Sequence, residues 1–173
     1  LVINSSTAAA ASMAKLIPLA AQHSAGIIGL TMDQEGVPGS VEKRVECGAT
    51  FFMAAMEAGI APEDVYLDPI ILPLNVAPKQ PWNVLEAIRQ LASVSDPPPH
   101  FIIGLSNVSQ KCLMNRLINR TYLVMCLVAG LDAAIMDAAD KDLVEAAISA
   151  EVLLEKHLYG DDYLKAWRMQ KGI

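Results

Sequence analysis

The chain has 173 residues, which is enough for one domain with a sizeable core. Hydrophobic residues make up 53% of the chain and aromatic residues only 5%, so the core is aliphatic, as in helices packed on a buried parallel sheet. Thirteen Lys and Arg stand against 19 Asp and Glu, giving a net charge of -6. No basic stripe is present to hold a phosphate backbone, which excludes nucleic acid as a partner.

One pattern recurs five times along the chain. An apolar run of strand length ends in small or polar residues, and a helical segment follows it. The strands are predicted at 1–3, 25–30, 65–67, 100–105 and 132–136, and the helices at 8–23, 41–58, 81–92, 109–129 and 141–158. Pro18 must kink the first helix or lie in a break, and Ser109 is the candidate N-cap of the fourth helix. The tail, with Tyr163 and Trp167, is predicted to pack back as a short helix.

Strict alternation of strands and helices predicts an α/β fold with a parallel sheet and right-handed crossovers. Two architectures qualify, an open doubly wound sheet and a (β/α)8 barrel. The sequence contains neither GxGxxG nor GxxxxGK[ST], the motifs that usually identify a nucleotide-binding open sheet, and their absence argues against that architecture. Five units do not close a barrel of eight, and the chain opens directly on the core strand Leu1–Ile3. We therefore expect about three further N-terminal units to belong to the same barrel.

The predicted strand ends carry side chains suited to binding. In a barrel they would converge on one mouth. These residues are Asn4, Met32, Asp68, Asn107 and Asp137. Asparagine amides both donate and accept hydrogen bonds, and a carboxylate can accept two N–H groups, which suits a small heterocycle with donors and acceptors on its edge. Each residue also has a structural interpretation: Asn4, Asn107 and Asp137 as helix-start or capping residues, Asp68 as a turn former before proline, and Met32 as packing.

The cysteines and the apolar runs indicate whether the protein has a metal site, disulfides or a membrane span. Cys47, Cys112 and Cys126 are widely spaced, none forms a CxxC pair, and only three histidines are present. The sequence therefore predicts no metal site and no disulfide framework, and a reducing cytoplasm is the simplest location. No apolar stretch reaches the roughly 20 residues of a membrane span, so no membrane association is expected.

A series of motifs resembles one family. They are INSS at 3–6, GLTM at 29–32, YLDPIILP at 66–73, GLSNVSQ at 104–110, LINRTY at 117–122 and GLDAAIMDA at 130–138. In this order they resemble the pterin-binding methyltransferases that act on methyltetrahydrofolate and a corrinoid protein. The folate domain of cobalamin-dependent methionine synthase is related, and dihydropteroate synthase is a more distant relative. The resemblance implies a TIM barrel, with residues 1–173 as the C-terminal part of a single pterin-binding domain that starts at the fourth strand. A further pterin-binding aspartate would lie in the preceding part.

The resemblance also implies roles for residues. Asn4, Asp68, Asn107 and Gln110 would bind the pterin, and Asn107 would assist protonation of the pterin nitrogen during methyl transfer. Met32 is a further candidate. Family members often carry a basic residue in the stretch after Gln110, and this chain offers Asn115 and Arg116 in that stretch. Against the family pattern the register slips by one residue here, and the expected proline is missing.

Methyltetrahydrofolate would be the methyl donor. The cobalamin or other corrinoid would be carried by a partner, a corrinoid iron–sulfur protein or similar. The resemblance implies a homodimer as well.

Two other functions stay open. A dihydropteroate synthase-like condensation would activate a pyrophosphate leaving group and bring basic residues to the mouth, and the predicted strand ends lack such a residue. A non-catalytic half-barrel that binds a pterin is the other alternative, and it would expose sheet edges and an apolar inner face.

Overall fold

The computed structural model describes residues 1–156 together with Lys165 and Arg168. Strands and helices alternate throughout this part of the chain. The strands are β1 (Val2–Thr7), β2 (Gly26–Leu30), β3 (Val65–Asp68), β4 (His100–Gly104) and β5 (Ala133–Ile135). The helices are α1 (Ala10–Gln22), α2 (Val41–Glu57), α3 (Gln80–Leu91), α4 (Asn115–Ala129) and α5 (Lys141–Leu153). The predicted tail helix with Tyr163 and Trp167 lies outside the described residues, within which no helix is both long and apolar enough to cross a membrane.

The strands form one parallel sheet whose spatial order is the order along the chain, β1-β2-β3-β4-β5. A doubly wound sheet reverses its strand order at a switch point, whereas a barrel adds each new strand beside the last. No reversal occurs among the five described strands. The sheet is therefore an arc of a β/α barrel, which confirms the predicted fold class.

Along β3 and β4, every second side chain is buried between the sheet and the helices. Val65 and Leu67 of β3 and Phe101 and Ile103 of β4 are buried in the same core as residues of α2, α3 and α4. Gly29 belongs to this layer, since a Cβ atom there would stand 2.2 Å from the ring of the buried Phe51. The residues between them, such as Tyr66 and Asp68, are less buried and lie on the opposite face of the sheet.

Two predicted boundaries beside the candidate site residues differ from the structure. β1 continues through Thr7 with a bulge between Asn4 and Ser6, so Asn4 lies inside the strand and the prediction that it ends the strand was wrong. α4 begins at Asn115, and the buried Ser109 does not cap it, because Lys111 has a φ of +62° that a right-handed helix does not accommodate. α1 continues through Pro18 without a break.

Candidate functional site

Strand pairing places two predicted site residues on the same face of the sheet. Asn4 pairs with Ile28, and Ile28 pairs with Tyr66. Paired residues of neighbouring strands point to the same side, and side chains alternate along each strand. Asp68 follows Tyr66 by two residues, so Asn4 and Asp68 share the face away from the helices. Asp68 lies one row closer to the carboxyl ends of the strands, about 7 Å further along.

The Asp68 carboxylate is fixed at one oxygen and open at the other. Its Oδ1 atom accepts a hydrogen bond from the backbone N–H of Ile70 at 2.8 Å, in the tight turn after Pro69. The backbone oxygen of Asp68 accepts the N–H of Thr31 at 2.9 Å, which anchors the end of β3 to the residue after β2. Within the described part of the chain, Oδ2 accepts no hydrogen bond. The carboxylate is thus oriented and keeps free acceptor positions.

The surroundings of Asp68 raise the pKa of its carboxyl group. Burial raises the pKa of the Asp68 carboxyl from 3.8 to about 6, while the Ile70 N–H and the charge of Arg44 act in the opposite direction. Desolvation disfavours the ionised form of an acid, and a hydrogen bond or a nearby cation favours it. Asp68 is therefore ionised above a pH of about 6 and takes up a proton below it.

Asn107 lies just beyond the end of β4. It ends the 3₁₀ turn Leu105–Asn107, and its side chain is exposed. Its amide nitrogen, Nδ2, lies 3.0 Å from the position that a Cβ atom would take at Gly104, the last residue of β4. The absence of a side chain at Gly104 therefore lets the amide fold back over the strand end. Gln110 follows, and its backbone N–H donates to the backbone oxygen of Asn107 at 3.3 Å, while its side chain is exposed.

The remaining sequence candidates fall into two places. Met32 is half-buried, and its backbone oxygen accepts the N–H of Ala8 at 2.8 Å, which links the loops after β1 and β2. Asn115 and Arg116 are exposed at the start of α4 and line a cavity of about 200 Å³ that also includes Asp137. This cavity lies at the ends of β4 and β5, and neither Asp68 nor Asn107 lines it.

Sequence reasoning missed a buried polar network beneath the loops. Arg44 is fully buried on α2, and its Nη2 atom donates to the Pro38 oxygen at 3.1 Å and to Gln80 Oε1 at 2.5 Å. The sequence did carry a signal for it. Arg44 stands at helical spacing with Gly48 and Phe51 on the buried face of α2, where a charged residue is unusual.

The described residues contain no group of three or more His, Cys, Asp or Glu side chains arranged to hold a metal ion. The predicted site residues on the open face are instead the Asn4 amide and the half-buried Asp68 carboxylate, and the exposed amides of Asn107 and Gln110 follow the end of β4. Such a set can bind a neutral, planar ligand that presents several N–H groups and a carbonyl.

Comparison with known proteins gives one family and several relatives. A family model described as pterin binding enzyme matches residues 1–140. The chain is 28% identical over 148 residues to the methylcorrinoid:tetrahydrofolate methyltransferase of Eubacterium limosum, covering 84% of this chain and 53% of that protein. It is also 28% identical to the methionine synthases of Mycobacterium tuberculosis and Mycobacterium leprae, over 73% and 72% of this chain and 11% of each synthase. The chain thus spans about half the length of the first relative and a small part of the other two.

Proposed function

The chain belongs to the pterin-binding enzyme family, and on that premise we propose that it serves in methyl transfer between the N5 atom of tetrahydrofolate and the cobalt of a corrinoid protein. The observation that carries the proposal is the Asp68 carboxylate, fixed by Ile70, with an open oxygen on the face that it shares with Asn4. The proposed enzyme is cytoplasmic and homodimeric and takes its corrinoid from a separate partner protein.

Asp68 would recognise the ring of the pterin. The amino-pyrimidinone edge presents adjacent N–H donors, and an ionised carboxylate accepts two of them in a charge-assisted pair. The Ile70 N–H occupies only one acceptor position of Oδ1, so the carboxylate keeps room for both ring donors. Asn4 would contact another part of the ring, and Gln110 would contact it from the loop after β4.

Asn107 would act at the reacting nitrogen. N5 takes up a proton from solvent by the transition state, and as the methyl group leaves, the electron pair of the N–C bond stays on nitrogen, which gives neutral tetrahydrofolate with an N5–H bond. The methyl carbon forms its new bond with the electron pair of the reduced cobalt of the corrinoid substrate. The side-chain oxygen of Asn107 would accept the N5–H hydrogen bond, which strengthens as positive charge develops and so favours the transition state over the ground state.

The same site can serve both directions. The name of the E. limosum relative describes transfer from a methylcorrinoid to tetrahydrofolate, the reverse of transfer from methyltetrahydrofolate to cobalt. Both directions pass through one transition state, so an interaction of Asn107 with N5–H lowers both barriers equally.

The test uses the protein at its natural length with methyltetrahydrofolate and a reduced corrinoid protein, followed by the absorbance change of the corrinoid. We expect Asn107→Ala to lower kcat/KM on the order of 100-fold, with the pterin Kd changed by only a few fold. Asn83→Ala is the control, because it also removes a side-chain amide, one that lies on α3 and donates to the backbone oxygen of Gly39 at 3.1 Å. A folded wild type that binds pterin and transfers no methyl group in either direction would disprove the function. Equal rates for the two variants would disprove the role of Asn107.

A further inference from the structure

The outward face of α4 carries no charged side chain. Its exposed residues recur at helical spacing, and at 3.6 residues per turn they lie within about 40° of Thr121 around the helix axis. Leu117 is 50% exposed, Met125 39% and Val128 57%, and Met114, just before the helix, is 62% exposed. The opposite side of α4 is buried in the core. These five residues are called the α4 stripe below.

A second outer helix shows how a solvated face differs. The exposed residues at comparable spacing on α2 are Glu42, Glu46, Thr50, Met53 and Glu57. Carboxylates occupy most of these positions, whereas every position of the α4 stripe is uncharged. A contiguous exposed apolar surface of this kind marks a protein interaction site.

The side chains beside Thr121 hold α4 against its neighbours. Arg120 is bound to Asp142 of α5 at 2.9 Å. On the other side, the Tyr122 hydroxyl donates to the Pro81 oxygen of α3 at 3.0 Å. Because both flanking side chains are engaged sideways, the α4 stripe projects outward between them as an apolar ridge.

The α4 stripe is symmetric about Thr121. Leu117 and Met125 lie four residues before and after it, and Met114 and Val128 lie seven residues before and after it. A twofold axis at Thr121 therefore pairs two copies of α4 antiparallel, with Leu117 against Met125 and Met114 against Val128. An interface between identical protomers must complement itself, a condition that a partner of different sequence does not impose. Antiparallel packing also sets the positive end of each helix dipole beside the negative end of the other.

The length of the α4 stripe suits the centre of a dimer interface. From Met114 to Val128 the helix rises roughly 21 Å. A stable interface of about 800 Å² per protomer is roughly 30 Å across. The neighbouring helices α3 and α5 supply the remaining width, with the exposed Trp82 on α3 and the Arg120–Asp142 pair towards α5. An apolar centre with a charged rim is the usual anatomy of such an interface.

We propose that the α4 stripe is the interface between two protomers, which meet across a twofold axis at Thr121 with their α4 helices antiparallel. This interface belongs to the homodimer of the proposed function and so rests on that function, but it does not depend on the methyl-transfer chemistry.

The first experiment measures the mass of the protein at its natural length by sedimentation, over a range of concentrations. Wild type should be a dimer. Met125→Glu buries a carboxylate opposite Leu117 and should raise the dimer Kd on the order of 100-fold or more. Met53→Glu is the matched control, because Met53 is an exposed methionine on the outward face of α2, and it should leave the dimer unchanged. Urea unfolding of each monomer checks that the variants fold.

The second experiment tests the antiparallel register by cross-linking with oxidised glutathione. Helices packed about 8–10 Å apart bring facing Cα atoms to within roughly 5.5 Å, which a disulfide spans. The background is Cys112→Ser, since Cys47 and Cys126 are buried. Thr121→Cys should then give a covalent dimer.

Two cysteine variants are the controls for this cross-link. Thr50→Cys, at an exposed threonine on α2, should stay monomeric under denaturing conditions. Val128→Cys should also stay monomeric, because the two copies of this residue lie roughly 21 Å apart in an antiparallel pair.

Several outcomes would overturn the proposal. They are a monomeric wild type, a dimer that Met125→Glu leaves intact, and a cross-link at Val128→Cys in place of Thr121→Cys. A stripe variant that stays dimeric but no longer binds a corrinoid protein would assign the surface to that partner instead. Methyl transfer is measured on the same samples. A dimer without transfer would disprove the proposed chemistry alone, and a monomer that transfers methyl groups would overturn the interface alone.

Discussion

Replacing Asp68 by Asn should stabilise the protein near neutral pH while it destroys the proposed ligand contact. Burial raises the pKa of Asp68 from 3.8 to about 6, so the folded protein holds a proton that the unfolded chain releases between these two values. Because the folded state binds more protons in this window, its stability falls as pH rises from about 4 to about 6 and then levels off. Asn mimics the protonated side chain and keeps the Oδ1 acceptor for Ile70.

The size of the effect follows from the shift. A difference of about two pKa units at about 1.4 kcal/mol each gives roughly 3 kcal/mol as the upper limit for the cost of ionising Asp68 on folding. Wild type should thus lose about 2–3 kcal/mol of unfolding free energy between pH 4 and pH 7 relative to Asp68→Asn. At pH 7 the variant should be the more stable protein by that amount.

The assay is urea unfolding of the protein at its natural length, at half-unit steps from pH 4 to pH 7.5, compared through the midpoints and slopes. Asp64→Asn is the control for net charge, because Asp64 is an exposed acid just before β3. The difference between wild type and Asp68→Asn should grow with pH and should exceed, at pH 7, the difference between wild type and Asp64→Asn. Curves for wild type and Asp68→Asn that run parallel from pH 4 to pH 7 would refute the reasoning.

Three further outcomes are expected. The affinity of wild type for methyltetrahydrofolate should fall about tenfold per pH unit below pH 6, because only ionised Asp68 accepts both ring N–H groups; isothermal titration calorimetry checks this, and a flat profile from pH 5 to pH 8 would contradict it. Gly104→Ala should lower the methyl-transfer kcat/KM on the order of tenfold, because the new Cβ atom meets the Asn107 amide at 3.0 Å and displaces it. The unfolding free energy should change by less than about 1 kcal/mol. A variant with wild-type kinetics would contradict this prediction. Gly29→Ala should cost about 2–3 kcal/mol in urea unfolding, because its Cβ would stand 2.2 Å from the buried Phe51 ring, and a cost below about 0.5 kcal/mol would contradict this.

The sequence was sufficient for the class of fold and for the family. Strand and helix periods and turn residues are local properties of the chain, so five alternating units could be identified from the apolar runs and the residues that end them. The resemblance drawn from the motifs is confirmed by the match of residues 1–140 to the pterin binding enzyme family. The roles of Asn4, Asp68, Asn107 and Gln110 stay predictions until binding and transfer are measured.

Local patterns failed where a backbone conformation or a contact decided the outcome. Asn4 lies inside β1 because pairing with β2 extends the strand through Thr7, and a sequence does not show its own pairing partner. The fourth helix begins at Asn115 because Lys111 adopts a positive φ, although the polar residues from Ser109 onward looked like an ordinary helix start.

Only the tertiary structure decided the order of the strands and the environment of Asp68. Spatial order distinguishes a barrel from a doubly wound sheet, and it follows from how each helix packs back on the sheet. Arg44 and Gln80 are 36 residues apart, and Arg44 acts on Asp68 from a different element of the fold. The amino-acid sequence specified the carboxylate, but burial among distant segments set its charge, because desolvation and Coulomb interactions depend on distance in space and not on distance along the chain.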